Sequence, residues 1–403
     1  MSKRSKILLI SSNFPPVTGG ASTVYENICR KGGGRVIALA PRRDYTTGNT
    51  LEGAEAYDAT AGHPVHRLEL LRPLAPGAAG GGGSKLRDLR LMAAVLWRVA
   101  GICVADKVRT VCLGDLVYGG WLVFPLRYLL GRKVVIYVHG EEITTASAGG
   151  MFDEQRSRFL AHAHAVVAVS RFTVDVLVQR MQVDPAKIEL ISNGVDLEKF
   201  ASSPAPAERF APGPPGKRIV LTVGRLIPRK GFDRLIQAMP AVLQRCPDAH
   251  LLVAGDGPQR LELEEIARRL GLTDHVSFLG RVSDAQLNQL YEGCEVFALP
   301  NREMPDGDTE GFGLVFLEAN AFAKPVVAGR VGGAVDAVTD GVNGLAVDGD
   351  SAAEISDALC RILLDQTLYA QLSAGALKVA RQSDWSHRVR QFLDFCERLV
   401  GRR

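Results

Sequence analysis

Short apolar runs alternate with amphipathic stretches along nearly the whole of this 403-residue chain, and this alternation limits its fold more than any other feature. Strands that are buried on both faces read as continuous apolar runs, and the helices between them return the chain to the same edge of a sheet. The pattern therefore predicts an α/β fold with parallel sheets covered by helices. The predicted strands are Ile7–Ile10, Val36–Leu39, Val111–Leu113, Val134–Val138, Ala165–Val169, Ile188–Ile191, Ile219–Val223, His250–Ala254, Val276–Leu279, Val296–Leu299, Pro325–Ala328 and Gly344–Val347. The clearest predicted helices are Arg234–Arg245, Arg260–Leu270, Asp284–Glu292 and Ala352–Leu364.

A proline-rich segment divides this alternation into two halves. Residues 201–216 contain five prolines, which favour a stiff, extended connection rather than a core element. We therefore predict an N-terminal domain over residues 1–200, a linker over 201–216 and a second domain over 217–380. Each is expected to be a doubly wound, Rossmann-like domain, with the two facing across a cleft. Apolar residues recur at helical spacing near the end of the chain, so residues 381–403 are predicted to form a helix that can pack back on the first domain.

Charge is distributed unevenly between the two halves. Residues 1–200 carry 25 lysines and arginines against 18 aspartates and glutamates, whereas residues 201–403 carry 23 against 26. A basic first half suits contact with anionic lipid head groups or an anionic acceptor, although an ordinary solvated surface also explains the excess. The basic residues are dispersed and lack interleaved aromatic residues, so nucleic acid is not predicted as a partner.

The sequence also indicates where the protein is found. It contains no apolar run long enough to span a membrane, and no signal-peptide pattern precedes the first predicted strand. Its seven cysteines are scattered without a CxxC pair, as expected for free thiols in a reducing compartment. We therefore predict a cytoplasmic protein, with peripheral contact at the inner face of the membrane as a further expectation from the basic first half.

Two glutamates, Glu310 and Glu318, flank the segment Gly-Phe-Gly-Leu-Val-Phe-Leu. If a helix begins near Gly313, Glu310 lies just before it and Glu318 lies about one turn inside it. The first N–H groups of that helix are free to bind an anion, and the two carboxylates can hold sugar and ribose hydroxyls on either side of a diphosphate. The spacing suits a nucleotide-sugar, although an acidic helix cap followed by a surface glutamate has the same spacing.

Two loops that follow predicted strands carry further candidates, because ligands of doubly wound sheets bind beyond the carboxyl ends of the strands. In the first domain, Gly19 and Gly20 open a helix and allow a phosphate or sugar to approach the backbone, but a tight turn also accounts for them. In the second domain, Arg225 and Lys230 stand in one glycine-flanked turn. They can clamp a diphosphate and neutralise a leaving nucleoside diphosphate without a metal; solvated cations at a helix start are the alternative.

A histidine, His139, ends a buried-type strand of the first domain. It is well placed to line the cleft and contact a reacting sugar, although histidines at strand ends are commonly structural. The acids Glu141 and Glu142 follow it directly, and we hypothesise that one of them faces the acceptor.

Three other patterns point to chemistry that we consider less well supported. The pair Asp306 and Asp308 resembles the DxD element of metal-dependent transferases, but it lies in a long polar loop rather than after a central strand. The segment Gly255-Asp-Gly-Pro-Gln-Arg260 resembles a dinucleotide fingerprint but lacks its third glycine. His162 and His164 have no matching cysteine or carboxylate spacing for a metal. We therefore predict no metal and no cofactor.

Taken together, the ordered set of these segments resembles the family-4 retaining glycosyltransferases of the GT-B fold. The matching segments are Asn13–Gly20, His139-Gly140, Ser192–Asp196, Val223–Gly231, Ala254–Pro258, Val276–Gly280 and Glu310–Glu318. They occur in the family's order across nearly the whole chain.

The resemblance implies a role for each candidate residue. Glu310 would contact hydroxyls of the donor sugar, Glu318 would contact the ribose, and His139 would lie near the anomeric carbon. Residues 280–282 would face the base. The implied donor-binding residues are Gly19, Gly20, Arg225, Lys230, Gly280, Arg281, Val282, Glu310, Gly313, Leu314, Val315 and Glu318, and the implied catalytic residues are His139, Glu310, Arg225 and Lys230.

The function implied by the resemblance is transfer of a hexose from a nucleotide-sugar to a hydroxyl group, with retention of configuration and without a protein nucleophile. GDP-mannose is favoured slightly over UDP-glucose as the donor. A lipid-linked saccharide, glycolipid or polysaccharide precursor is the expected acceptor, given the basic first domain and the glycine-rich loop at residues 73–84, which is predicted to be mobile. A nucleotide-sugar epimerase of the same fold and a catalytically silent binding module are the alternatives.

Overall fold

The computed structural model describes residues 5–75, 78, 85–144, 151–198 and 213–401. The chain forms two compact units, one comprising Met1–Ser192 together with Trp385–Arg403 and the other comprising Asn193–Asp384. The predicted linker lies outside the described residues except for 213–216, and the predicted mobile loop lies outside them except for 73–75 and 78.

The first unit is built on a sheet of seven strands, all of whose neighbours run parallel. Its strands are β1 (Lys6–Ile10), β2 (Val36–Pro41), β3 (Val65–Leu68), β4 (Val108–Leu113), β5 (Lys133–Val138), β6 (Ala165–Ala168) and β7 (Ile188–Leu190). The order across the sheet is β3-β2-β1-β4-β5-β6-β7, so the winding reverses between β1 and β4. The apolar pattern of the sequence predicted every one of these strands except β3.

Helices cover this sheet. They are α1 (Gly20–Arg30), α2 (Ala54–Thr60), α3 (Lys85–Ala105), α4 (Leu116–Gly119), α5 (Glu141–Thr144), α6 (Met151–His162) and α7 (Arg171–Gln179), with 3-10 turns at Gly120–Leu122 and Pro185–Lys187 and a π-helical turn at Pro125–Leu129. On one face, Val95 and Val99 of α3 pack in the same buried cluster as alternate strand residues such as Ile37 and Val111. These alternate positions lie on one side of the sheet because strand side chains point to opposite faces in turn.

The second unit has a sheet of six parallel strands. Its strands are β8 (Arg218–Val223), β9 (Ala249–Ala254), β10 (Val276–Gly280), β11 (Val296–Leu299), β12 (Val326–Gly329) and β13 (Gly344–Val347). The order is β10-β9-β8-β11-β12-β13, and the winding reverses between β8 and β11. Its helices are α8 (Phe232–Arg245), α9 (Arg260–Arg269), α10 (Asp284–Gly293), α11 (Leu314–Ala321), α12 (Ala334–Ala337), α13 (Ala352–Leu364) and α14 (Gln366–Gln382), with a 3-10 turn at Pro228–Lys230. The prediction of two doubly wound, Rossmann-like domains is confirmed.

The last helix, α15 (Trp385–Gly401), belongs to the first unit. Its Phe392 ring lies 6.1 Å from the ring of Tyr137 on β5. Arg35, just before β2, pairs with Glu397 of this helix at 2.5 Å between Nη2 and Oε1. The first unit is therefore completed by residues that follow the whole of the second unit in the chain.

Two further observations concern the chemistry of the fold as a whole. All seven cysteines are buried free thiols, as the sequence predicted. Within the described ranges, no helix combines the length and the apolar character needed to cross a membrane.

Candidate active site

The second unit brings two loops together at the point where its sheet reverses its winding. The loop after β8 contains Lys230, and the loop after β11 contains Glu310. Gly231 ends the first loop with φ 71°, and a Cβ atom there would lie 2.0 Å from the carbonyl oxygen of Pro300. Only glycine fits at this position, so the two loops pack backbone against backbone.

Glu310 is the anionic centre of this junction. Its side chain is 10% exposed, and its Oε2 atom accepts hydrogen bonds from Lys230 Nζ and from Arg229 Nη1, the latter at 3.0 Å. Arg229 also pairs with Asp308, at 3.3 Å between Nε and Oδ2. Burial alone would raise the pKa of Glu310, but the charges of Lys230 and Arg229 outweigh this effect and hold the pKa below its ordinary value. Glu310 is therefore ionised, and an ionised carboxylate is a pure acceptor for hydroxyl groups.

The helix α11 begins where the sequence predicted. Gly313 is its N-cap with φ 85°, and a Cβ atom at this position would come within 2.5 Å of the Phe316 ring. Leu314 and Val315 are the first two residues of the helix, so their N–H groups have no partner within it and can bind an anion. Glu310 thus lies just before an open helix N-terminus.

Glu318 lies a little more than one turn inside the same helix. Its Oε2 atom accepts a hydrogen bond of 2.9 Å from the hydroxyl of Tyr291, a fully buried residue of α10. Burial, together with the nearby charge of Glu318, raises the pKa of Tyr291 well above its ordinary value, so this hydroxyl remains a donor. Tyr291 therefore fixes the orientation of the Glu318 carboxylate.

The two cations predicted to form a diphosphate clamp are in different environments. Lys230 forms an ion pair with Glu310, whereas Arg225 is exposed and makes no ion pair with any described residue. The guanidinium beside Lys230 is that of Arg229, which the sequence analysis did not select. Spacing could not identify it, because the 3-10 turn at Pro228–Lys230 decides which side chain points to Glu310.

The remaining candidates of the second unit lie elsewhere on the sheet. Gly280 ends β10, the edge strand, and its carbonyl oxygen accepts the N–H of Gly255 at 2.7 Å. Arg281 is exposed and Val282 is partly buried in the loop that leads to α10. These residues follow a strand two places away from β8.

The DxD-like pair is engaged locally. Asp306 accepts the backbone N–H of Asp308 at 3.1 Å, and Asp308 pairs with Arg229 as described above. Across the part of the chain that the structure describes, no three His, Cys, Asp or Glu side chains form a group that could hold a metal ion.

In the first unit, His139 follows β5 and contacts two tyrosine rings, that of Tyr25 edge-on and that of Tyr137 at a tilt. Its ring centroid lies 5.2 Å from that of Tyr25 and 5.3 Å from that of Tyr137. The Tyr25 hydroxyl donates its hydrogen to the carbonyl oxygen of Gly114 at 2.9 Å, so His139 Nε2, 2.8 Å from the same hydroxyl oxygen, must be the donor in that contact. This leaves Nδ1 of His139 as the acceptor. Burial lowers the pKa of His139 to about 4, so the ring is neutral at pH 7.

Glu142 supports the backbone of the histidine. Its Oε1 atom accepts the backbone N–H of His139 at 2.7 Å. Burial raises the pKa of Glu142 to about 7, although the hydrogen bond from His139 acts in the opposite direction. Glu141 is exposed. Asp115 lies in the loop after β4, the strand beside β5. It accepts the backbone N–H of Ser12 at 2.6 Å, and burial raises the pKa of Asp115 as well.

Gly19 and Gly20 open α1 after the first strand. Both are exposed, Gly19 is the N-cap residue, and no side chain caps the helix. Because β1 borders the reversal point of the sheet, this open helix N-terminus lies at the edge where ligands of such sheets bind. Of the residues around His139, the sequence analysis missed Tyr25, because an apolar helix position gives no sign of a hydrogen bond to a histidine from another element.

Two doubly wound units, each with candidate ligand loops where its winding reverses, define the GT-B class of glycosyltransferases. Residues 18–199 match the sequence model described as Glycosyltransferase Family 4, and residues 205–379 match the one described as Glycosyl transferases group 1. The chain belongs to this family of retaining glycosyltransferases, as the resemblance of its motifs predicted, and it is an enzyme.

Relatives with assigned activities agree with this assignment. The chain is 31% identical to the GDP-mannose-dependent alpha-(1-6)-phosphatidylinositol monomannoside mannosyltransferase of Mycobacterium tuberculosis (strain ATCC 25618 / H37Rv), over 97% of this chain and 98% of the relative. It is 35% identical to the D-inositol 3-phosphate glycosyltransferase of Saccharomonospora viridis, over 62% of this chain and 60% of that relative.

Solved structures show the same fold. HepE from Anabaena, in complex with UDP and glucose, superimposes with a TM-score of 0.76 at 21% identity, covering 98% of this chain and 99% of HepE. Sucrose-phosphate synthase from Thermosynechococcus elongatus gives a TM-score of 0.75 at 22% identity, covering 99% of this chain and 100% of the synthase.

Proposed function

We propose that this glycosyltransferase moves mannose from GDP-mannose to a hydroxyl group of a phosphatidylinositol-type glycolipid, with retention of configuration. The proposal of a nucleotide-sugar donor rests on the buried, ionised Glu310, which lies between Lys230 and the open N-terminus of α11. The names of the relatives that match nearly the whole chain supply the nucleotide, the sugar and the acceptor class. UDP-glucose is the next candidate donor.

The proposed chemistry needs no nucleophile from the protein. The bond between the anomeric carbon and the diphosphate oxygen breaks, and the acceptor oxygen bonds to the same face of that carbon. The acceptor proton passes to the departing phosphate oxygen. Lys230, Arg225 and the first N–H groups of α11 stabilise the negative charge that develops on GDP, so we propose that no metal is required.

Glu310 and His139 are proposed to orient the sugar. Glu310 accepts hydrogen bonds from its hydroxyls, because its pKa keeps it ionised. His139 offers a neutral acceptor nitrogen, Nδ1, because its Nε2 hydrogen is donated to Tyr25. A neutral imidazole positions a hydroxyl without adding charge near the anomeric carbon.

The test is a donor and acceptor panel with the full chain. GDP-mannose, UDP-glucose, GDP and UDP are compared by thermal shift, because a ligand of the native state raises its apparent stability. Turnover of the best donor is then followed with phosphatidylinositol monomannoside, with inositol phosphate, and with donor alone. GDP release that depends on the glycolipid supports the proposal. Conversion of donor without any acceptor would indicate epimerisation or hydrolysis instead, and a preference for UDP would overturn the donor assignment.

Peripheral membrane contact is proposed to run through α3. Large apolar side chains of this helix are exposed, namely Leu86 (57%), Leu89 (63%), Trp97 (83%) and Val104 (69%). Exposed cations flank them on the same helix, namely Lys85, Arg87, Arg90 and Arg98. An apolar stripe with a tryptophan and flanking cations is typical of helices that lie in the interface of an anionic bilayer.

Sedimentation with vesicles tests this contact. We expect the protein to bind vesicles that contain anionic lipid at low salt, and to bind less at high salt because the cations are then screened. Changing Trp97 to serine should weaken binding, whereas the same change at Leu261, an exposed leucine of the second unit, should not. Absence of low-salt binding by the wild type would exclude this part of the proposal. The cytoplasmic location stays a prediction from the sequence.

A further inference from the structure

One arginine of the first unit is held by aromatic rings instead of carboxylates. The Cζ atom of Arg72 lies 3.4 Å from the ring centroid of Tyr45 and 3.2 Å from that of Tyr118. The two centroids are 6.4 Å apart, little less than the two distances together, so the guanidinium lies between the rings. Cation–π contacts of this kind hold a guanidinium by its two flat faces.

This arrangement leaves the edge of the guanidinium available. Arg72 makes no hydrogen bond and no ion pair with any described residue, and its Nε atom is buried without a partner. Two acids feel its charge, Asp44 and Asp115, and both accept backbone N–H groups. Asp44 accepts those of Thr46 and Thr47 at 2.6 and 3.1 Å, and Asp115 accepts that of Ser12 at 2.6 Å. A buried donor without an acceptor costs free energy, which an anionic ligand would offset.

The position of the stack is that of a ligand site. Tyr45, Arg72 and Tyr118 follow β2, β3 and β4, so all three lie at the carboxyl edge of the first unit's sheet. Ligands of doubly wound sheets bind at this edge. Tyr118 is 44% exposed, so a ligand can reach the stack from solvent.

We propose that Arg72, held between Tyr45 and Tyr118, binds a phosphate group of the acceptor. A guanidinium whose faces are covered can be approached only in its plane, where its N–H groups match two oxygens of a phosphate. The inference rests on the proposed function for the identity of the acceptor, a phosphorylated inositol. The shared chemistry is a phosphate ester, whether it belongs to a lipid head group or to a soluble inositol phosphate.

Calorimetric titration with myo-inositol 1-phosphate, inorganic phosphate and myo-inositol tests the site without turnover. We expect Arg72→Ala to weaken binding of both phosphates by roughly 10- to 100-fold, and Arg72→Lys to fall between it and the wild type, because lysine keeps the charge but not the planar fork. Binding of myo-inositol should not change. Equal affinity of the wild type and Arg72→Ala for myo-inositol 1-phosphate would overturn the inference.

A matched pair at Tyr118 tests the stack itself. Tyr118→Phe keeps the ring and should bind myo-inositol 1-phosphate like the wild type, whereas Tyr118→Leu should lose several-fold in affinity. Equal affinity of both variants would contradict a role for the ring. If Arg72→Ala does not fold, as shown by loss of a cooperative urea-unfolding transition, the same titrations are made with Arg72→Lys and Tyr118→Leu.

Two final comparisons distinguish a lipid phosphate from a soluble one, and a failure of this inference from a failure of the donor proposal. Kinetics with phosphatidylinositol in mixed micelles identify the source of the phosphate. If the phosphate belongs to the lipid, Arg72→Lys should raise the acceptor KM without changing the donor KM. If Arg72→Lys weakens only the binding of soluble inositol phosphate, the site is assigned to that source. If the wild type fails to use GDP-mannose but still binds myo-inositol 1-phosphate through Arg72, the donor proposal is wrong and this inference stands.

Discussion

The two units of this glycosyltransferase handle charge in opposite ways. In the second unit, a carboxylate whose pKa is lowered, Glu310, lies against the cations Lys230 and Arg229. In the first unit, burial keeps His139 neutral and brings the pKa of Glu142 to about 7. The contrast suits a division of labour in which the second unit binds a permanently charged diphosphate and the first orients uncharged hydroxyl groups.

The largest effect is expected from the charge of Glu310. Glu310→Gln keeps the shape but removes the negative charge that is proposed to hold the sugar hydroxyls, so we expect turnover of the donor to fall by roughly 100- to 1,000-fold. GDP affinity should change far less, because GDP carries no sugar beyond its ribose. The measurement is glycolipid-dependent GDP release, with thermal shift for GDP binding. Asp308→Asn, which also touches Arg229, serves as the control and should cost less than about tenfold on the same scale. Near-wild-type turnover by Glu310→Gln would show that the sugar is held elsewhere.

Replacing the cations of the second unit, Lys230, Arg225 and Arg229, should affect GDP binding and stability to different extents. Lys230→Ala is expected to weaken GDP binding by roughly 10- to 100-fold, since a charge-assisted contact to phosphate is lost. Arg225→Ala should also weaken GDP binding, because this exposed arginine is engaged by no described carboxylate. Arg229→Ala should mainly lower the free energy of unfolding, because it leaves Asp308 and Glu310 short of a partner.

Calorimetry with GDP and urea unfolding separate these cases. A larger loss of GDP affinity in Arg229→Ala than in Arg225→Ala would reverse the roles of the two arginines and make the residue beside Glu310 the phosphate ligand.

A smaller effect is expected from the hydroxyl that holds His139. Tyr25→Phe removes the acceptor of the Nε2 hydrogen, so the ring can adopt the other tautomer, and kcat should fall by about five- to tenfold. Tyr137→Phe is a matched control, since the Tyr137 ring also contacts His139 but its hydroxyl has no hydrogen-bond partner among the described residues. GDP affinity should be unchanged in both variants. Similar rates for the two variants would mean that the rings alone position the histidine.

The smallest effect is a dependence of stability on pH. Because its pKa is about 7 in the folded protein, Glu142 keeps its proton up to about that pH, whereas an unfolded glutamate loses it near its ordinary pKa of 4.5. The folded state therefore binds more protons between these values, and the free energy of unfolding falls as pH rises through this window. Glu142→Gln removes that slope, so its stability relative to the wild type should increase by about 1–2 kcal/mol from pH 4.5 to 7.5.

Urea unfolding of both proteins at several pH values measures this difference. His139, whose pKa is lowered, adds a slope of opposite sign to both proteins and cancels in the comparison. A constant difference between the two proteins would show that Glu142 titrates normally.

Much of the fold followed from the sequence because strands buried on both faces leave an unambiguous apolar signal. The segment Val134–Val138 was predicted, and β5 is fully apolar after its first residue. β3 was missed because its sequence Val-His-Arg-Leu lies at the edge of the sheet and is only partly buried. α3 was not among the clearest predicted helices for a related reason, since its exposed Leu89 and Trp97 obscure the helical period of its buried side.

The candidate site was predictable where the backbone determines the chemistry. The open helix start at Gly313 follows from a residue type that tolerates its positive φ. The partners of side chains were not predictable in the same way. A local sequence pattern does not show in which direction side chains from separate elements point. It therefore could not identify Arg229, rather than Arg225, as the partner of Glu310. It also could not place Tyr25 beside His139.

The two ends of the second unit lie next to each other in space, although they are far apart in the chain. Val195 N–H donates to the carbonyl oxygen of Ser383 at 2.8 Å, so the first and last residues of the second unit lie side by side. In topological terms, the unit that carries Glu310 is one continuous stretch of chain whose two ends meet, set between the two segments of the first unit. An exchange of this stretch at residues 193 and 384 would therefore cut through neither sheet, which makes it the natural unit for swapping the proposed donor site between relatives.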